Sequence, residues 1–266
     1  MLLYPFKKCI AKISGKCNYQ RLFEGMYRVS IRGMNIGGGS HTENSGEENA
    51  LVHVKRRLST ASEIVVFDVG ANIGKYTVLL NQVFGEKAHV YSFEPAHETY
   101  GKLSLNVSKL PNVHVYNFGF SDKSGTQQIY SDMTLSGLAS VYKRRLDHFN
   151  IQMNRREKIK LRTIDSFCKK EKIENIHFLK LDVEGHELKV LAGAEKMLRS
   201  GKIEFVQFEF GSCNIDSRTF FQDFYYLLKD KYILYRIMKD GIYEIKEYSE
   251  ILESFHTTNY IAELKR

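Results

Sequence analysis

The sequence predicts an α/β protein wound around a mostly parallel sheet with helices on both faces. Three observations carry this expectation. Residues 64–67, Ile-Val-Val-Phe, form a short apolar run of the kind buried on both faces of a central strand. Asp68, Gly70, Asn72 and Gly74 then punctuate the chain, and residues 76–84 resume with apolar spacing suited to a helix. Strand, glycine turn and helix make the first unit of a doubly wound sheet, whose ligands sit off the carboxyl ends of the strands. Strand-like and helix-like runs alternate through the rest of the chain, which argues for parallel pairing. The last two strands have no clear helix between them, which argues for an antiparallel edge pair.

In order, residues 88–93 read as the second strand, ending in Glu94-Pro95, and Pro95 pre-sets a helix over 96–109. Residues 113–118 are the third strand. Residues 125–130 and 158–164 both alternate and read as paired antiparallel strands. Between them, 131–157 form an insertion without regular periodicity, a length usually reserved for lids, and acceptor selection is expected there. A helix follows over 163–171, a strand over 177–183, one helix over 187–199 and a strand over 203–210. Residues 219–229 read as helix, 232–238 as strand, 243–253 as ambiguous and 258–264 as the last strand. Ahead of this domain (61–266), residues 1–60 are a lead-in. Its glycine-dense stretch 32–40 is loop, either a linker or a cap over the cofactor mouth, and 49–58 look helical.

The chain's 266 residues, 43% of them apolar, suffice for one core of ordinary size. Cys9, Cys17, Cys168 and Cys213 form no C-x-x-C pair and no zinc-holding spacing with histidine. They read as reduced thiols of a cytoplasmic protein. No stretch approaches the roughly 20 apolar residues of a membrane span. Residues 1–6 are apolar with Lys7 and Lys8 behind them, the reverse of a secretory signal. They read as a surface segment or a weak interfacial anchor. The formal charge is +8, and between Gly137 and Lys172 eleven Lys or Arg stand against four Asp or Glu. Such a run is a solvated face, or a contact for an anionic sugar derivative or a membrane surface. RNA is disfavoured, because no aromatic-interleaved binding motif accompanies the charge.

Two constellations bear chemistry. At residues 68–74 the dinucleotide pattern G-x-G-x-x-G fails, and so does the P-loop, since three residues separate the glycines and Tyr76 follows Lys75. The remaining pattern resembles motif I of the class I S-adenosylmethionine (SAM) methyltransferases; an ordinary glycine-rich βα turn is the competing reading. Asp68 suits that cofactor's ammonium, and the backbone of Ala71 to Gly74 suits its carboxylate. Glu94 is spaced to accept from a ribose diol. Ser121 and Asp122 are in reach of adenine, or form a plain turn. Glu47 is either a pocket residue or an exposed loop acid.

The second constellation is residues 180–187, Lys-Leu-Asp-Val-Glu-Gly-His-Glu, where a central strand meets the next helix. A lysine there is costly to bury unpaired, so it must face an acid: Asp182, Glu184 or Glu209. The bland alternatives are a structural ion pair and first-turn acids on a helix dipole. The whole set at a sheet's carboxyl edge favours a site. Asp182, His186 and Glu209 are the candidate bases, with Lys180 fixing an acid. Nothing in the spacing demands a metal, and none is assigned.

VVFDVGANIGKYT, SFEP, GFSD and LKLDVEGHE, in that order, resemble the FkbM-type family of SAM-dependent methyltransferases over about residues 40–210. The resemblance implies a Rossmann-like class I fold with a seven-stranded sheet, and SAM as cofactor. It implies methyl transfer to oxygen, so the expected acceptor is a carbohydrate, glycolipid or similar small molecule. By position it implies Asp68, Gly70, Asn72 and Gly74 at the methionine part, Glu94 at the ribose and Asp122 at the adenine side. Lys180, Asp182, Glu184 and Glu187 match the second motif, and Glu184, Arg144 and Arg145 are the expected acceptor contacts. RNA methylation through the basic insertion is the alternative, and an NAD-linked oxidoreductase a further one. The oligomeric state is not legible.

Overall fold

The computed structural model describes residues 10–39 and 45–266. In chain order the strands are β1 (Ile64–Val69), β2 (Ala88–Phe93), β3 (Val113–Tyr116), β4 (Gly119–Phe120), β5 (Gly125–Ser131) and β6 (Arg155–Arg162). They continue with β7 (Ile176–Leu181), β8 (Ile203–Phe210), β9 (Tyr232–Met238), β10 (Gly241–Ile245) and β11 (Thr258–Leu264). The helices are α1 (Gln20–Gly33), α2 (Glu47–Arg57), α3 (Lys75–Phe84), α4 (His97–Val107) and α5 (Ile164–Glu171). α6 (Glu187–Ala192), α7 (Glu195–Arg199), α8 (Cys213–Ser217) and α9 (Phe221–Leu228) complete them.

The main sheet runs β10-β9-β11-β8-β7-β1-β2-β3. β3, β2, β1, β7 and β8 are parallel, while β11 inserts antiparallel between β8 and β9. This is the expected seven-strand layout. The stretch that periodicity left ambiguous supplies β10, an eighth strand paired antiparallel to β9 at the edge. The strands alternate between two cores, as period two requires. Phe67 and Val69 join Phe93, Leu179 and Phe208 on one face, whereas Ile64 and Val66 join Val90, Phe178 and Phe205 beneath α2 and α3 on the other. Each fully buried side chain of this size contributes about 1.5–3 kcal/mol. β5 pairs antiparallel with β6 as expected, and β4 adds to them in parallel to make a separate small sheet.

The helix expected over 187–199 is two helices. Gly193 passes so close to the turn after β4 that a Cβ there would lie 2.0 Å from the Ser121 carbonyl oxygen. The Asp165 carboxylate then accepts from the N–H groups of Lys196 (3.0 Å) and Met197 (3.1 Å), starting a new helix. α8 is too short for periodicity to reveal. In the lead-in, α1 extends through Arg32 and Gly33 into the expected loop.

The rest of that loop is pinned rather than free. Asn35 Nδ2 donates to the carbonyls of Ser45 (2.9 Å) and Ile237 (3.0 Å), and Gly37 N–H donates to Thr258 Oγ1 (3.2 Å). Residues 35–39 therefore lie against the end of β9 and the start of β11. Residues 1–9, including Cys9 and the segment read as surface or interfacial, and residues 40–44 lie outside the described residues. Cys17, Cys168 and Cys213 are unpaired, and no described helix is long and apolar enough to cross a membrane.

Gly70 and Gly85 test the packing. Both have positive φ, but a Cβ on Gly70 would sit 1.8 Å from the Asp182 carbonyl oxygen, whereas one on Gly85 meets nothing within 4 Å. Gly70→Ala should cost about 3 kcal/mol or more and Gly85→Ala about 1 kcal/mol in urea unfolding.

Candidate active site

The carboxyl ends of β1 and β7 are locked together. The Asp182 N–H donates to the Val69 carbonyl (2.9 Å), and Gly70 leaves room for the Asp182 carbonyl beside it. Behind this contact, Ser92, Asp68, Lys180 and Gln207 are register partners in one row across β2, β1, β7 and β8, and all four are buried. α2 and α3 supply partners for the row, leaving Asp68 Oδ1 without one. Thr77 Oγ1 donates to Asp68 Oδ2 (2.6 Å), and Tyr76 OH donates to Gln207 Oε1 (2.9 Å). Gln207 Nε2 donates to Glu47 Oε1 (2.7 Å). Lys180 Nζ lies 4.5 Å from the centre of the Tyr76 ring and donates to Asp182 Oδ2 at 2.7 Å.

Burial alone would favour neutral Lys180; the charges of Asp182, Glu47 and Asp68 reverse that and raise its pKa. Burial also opposes ionisation of Asp182, but the Lys180 charge and hydrogen bonds from Lys180 and Glu209 outweigh it and lower its pKa. Glu209 is pushed well up, by burial first and then by Asp182, Glu184 and Glu187. Glu184 is raised to about 8 by burial, against the opposing charge of Arg144. Oxygens of Asp182, Glu184 and Glu209 lie within 4.8 Å of one another, a spread able to hold a divalent cation. Asp182 is the member that faces outward: 38% of its side chain is open, against 5% for Lys180 behind it.

In front lies a cleft of about 710 Å³, its open mouth included. Glu94, Asp182 and Glu184 supply its carboxylates, and Phe120, Ile129, Val141 and Leu161 an apolar wall. Ser136, Gly137, Ala139 and Val141 bring the insertion over it. The insertion is strapped to the second motif. Ser140 Oγ donates to the Glu184 carbonyl (2.7 Å), Tyr142 OH meets His186 Nδ1 (3.1 Å), and Arg144 pairs with the Glu184 carboxylate and with Ser212 Oγ (3.2 Å). Glu184 sits at φ +52°, a left-handed conformation that costs a non-glycine residue about 1–3 kcal/mol and needs such fastening. Glu187 shapes the same turn by accepting from the N–H groups of Val183 and Gly185.

Several expected roles change. Glu94 lines the cleft and accepts from the N–H groups of Asn72 (3.0 Å) and Ala96 (2.9 Å); burial raises it to about 7 despite them. Of the backbone expected at a carboxylate, the Ala71, Asn72 and Gly74 N–H groups are taken by Phe93 O, Glu94 and Ala71 O. Gly74 instead makes room for Leu103 and Val107 of α4. Asp68 is fully buried in the row beneath Gly70 rather than in the cleft wall. Glu47 is neither exposed nor in the cleft wall, but buried against Gln207 and Ser45.

Asp122 turns outward to Lys189 (3.0 Å), away from the cleft. Ser121 is buried and meets His186 Nε2 at 2.9 Å. His186 thus has both ring nitrogens engaged, and burial lowers it to about 4. Arg144 is committed to Glu184, and Arg145 is exposed, only its backbone N–H reaching Asp216. No described residue of 10–39 lines the cleft, so the cap comes from the insertion. Tyr76, Gln207, Ser140 and Tyr142 were not singled out in the sequence. Gln207, polar amid an apolar strand two residues before Glu209, carried the same signal as Lys180.

The model of the FkbM methyltransferase domain matches residues 68–236, and the chain belongs to that family. It is 28% identical over 151 residues to the hexuronic acid methyltransferase AglP of Haloferax volcanii, covering 55% of this chain and 56% of that protein. It is 24% identical over 153 residues to the 2-O-methyltransferase NoeI of Sinorhizobium fredii, covering 54% and 63%. The chain thus spans less than two thirds of either relative. Among solved structures, the FkbM methyltransferase of Methylobacillus flagellatus KT aligns with TM-score 0.47 at 18% identity, covering 76% of this chain and 43% of that one.

The residues present fit SAM. Glu94 keeps lone pairs for ribose hydroxyls, the apolar wall suits a flat base, and the acidic cluster suits a cationic ligand. Asn72 also retains a buried oxygen without a partner. The strapping of the insertion is testable by substitution. Arg144→Ala should cost about 2–3 kcal/mol, because the buried Glu184 carboxyl and Ser212 lose a charged hydrogen-bond donor, and should speed amide exchange over 136–145. Exposed Arg145→Ala should change stability by no more than about 0.5 kcal/mol.

Proposed function

We propose, from its membership of the FkbM methyltransferase family, that this chain is a SAM-dependent O-methyltransferase acting on a hydroxyl of a carbohydrate or related small acceptor. One observation carries the reading: a carboxylate, Asp182, is kept ionised by a buried lysine at 2.7 Å and is still open to the cleft. SAM supplies an electrophilic methyl carbon when bound. The chain's residues do the rest. Glu94 holds the ribose diol, and the wall of Phe120, Ile129 and Leu161 takes the base. Asp182 accepts the proton of the acceptor hydroxyl, and Lys180 fixes the orientation of Asp182. Glu209 helps hold it ionised. The strapped insertion excludes water and aligns the acceptor, where much of the rate enhancement of such a transfer arises.

The names of AglP and NoeI place sugar-directed and 2-O-directed methylation in proteins similar to this one, which supports a carbohydrate hydroxyl. The unpaired Cys17, Cys168 and Cys213 support a reducing, cytoplasmic setting. RNA methylation would require steeply salt-dependent binding, and an NAD-linked activity would require thermal stabilisation by NAD rather than by SAM.

Mass spectrometry of candidate glycans incubated with SAM should find a gain of about 14 Da, one methyl for one hydrogen. Asp182→Asn should lower kcat about 10²–10⁴-fold; unchanged turnover overturns the assignment. The affinity for SAM should also follow the charge of Glu94. Ionised Glu94 is the better acceptor for ribose hydroxyls, and its folded-state pKa is about 7. Affinity should therefore fall as pH drops below that value, approaching tenfold per unit. Calorimetry should find this slope flattened in Glu94→Gln.

A further inference from the structure

We infer that α1 is an interfacial helix that docks this protein on an anionic lipid surface, a role beyond the methyl transfer proposed above. At 3.6 residues per turn, Leu22, Phe23, Met26, Tyr27 and Val29 fall on one side of Gln20–Gly33, and Arg21, Arg28 and Arg32 on the other. A helix of that pattern normally buries its apolar stripe against its own domain. Here none of its residues is buried: Leu22 is 50% exposed, Tyr27 55% and Val29 72%.

Charge decides what covers the stripe. Residues 10–39 carry Lys12, Lys16, Arg21, Arg28 and Arg32 against the single acid Glu24. A basic, amphipathic helix with aromatic and aliphatic side chains on its apolar face is suited to the headgroup boundary of a membrane containing anionic lipid. A second copy of the chain would bring two such clusters of cations together. Nucleic acid would use the arginines and leave the apolar side open.

The helix is also rooted where docking would serve the cleft. Asn35 is bonded to the Ile237 carbonyl in β9, and Gly37 to Thr258 at the start of β11. Thr258 pairs with Phe210, next to Glu209 at the carboxyl edge of β8. α1 therefore leaves the domain from the sheet edge that carries the acidic cluster.

Flotation of the full chain with vesicles tests this without SAM or any acceptor, so its outcome is independent of the proposed reaction. Binding is expected to vesicles of phosphatidylcholine mixed with phosphatidylglycerol, weakening with salt, and to be far weaker with phosphatidylcholine alone. Arg21→Gln with Arg28→Gln should weaken it about 30-fold. Leu22→Asp with Val29→Asp should abolish it, with the thermal unfolding midpoint unchanged because both positions are exposed. Failure to float, or flotation insensitive to the Leu22 and Val29 changes, overturns the inference. So does a dimer that the same changes convert to monomer, or RNA binding that they leave untouched.

Discussion

The site depends on one buried cation. Lys180 stands in the centre of the sheet, where an ammonium without partners would be untenable, and every acid around it answers that cost. Asp182 pairs with it directly at 2.7 Å, while Asp68 and Glu47 act on it through space. The pairing is reciprocal: the Asp182 carboxylate favours the ammonium, the ammonium lowers Asp182, and burial beside these acids raises the neighbouring Glu209. Two neighbouring carboxyls are thereby pushed in opposite directions, the kind of separation on which acid–base roles rely.

The cation also explains why α2 belongs to the domain. Glu47, at the first position of α2, reaches Gln207, and Gln207 receives the hydroxyl of Tyr76, whose ring faces Lys180. These contacts are buried, so each member is fixed by its hydrogen bonds. On the open side, the insertion is tied to Glu184 by Ser140 and Arg144, and to His186 by Tyr142. The base candidate therefore lies between a rigid polar row behind it and a strapped cover in front of it. Gly70 sets the spacing between the two motifs, because only a residue without a Cβ lets the turn after β1 rest against Asp182.

Much of the architecture was legible because period-two and helical patterns report burial directly. β2, β8, β9 and β11 fall where the alternation placed them, and the two motifs mark the carboxyl ends of β1 and β7. Periodicity carries no information about contacts between segments distant in sequence. It could not reveal that Gly193 must pass under Ser121 and split a helix, or that Asp165 would cap the second half.

The site divides in the same way. By itself the sequence determined the glycine turn, the acid ending the second strand and the lysine in need of a carboxylate, because each is a local conflict between residue type and position. Only the tertiary structure decided which acid answers the lysine and which histidine nitrogens are taken. It also decided that Asp68 and Glu47 lie behind the cleft wall while Asp182 faces it. Those outcomes follow from strand register and from the packing of α2, α3 and the insertion, which bring together residues that the chain keeps far apart.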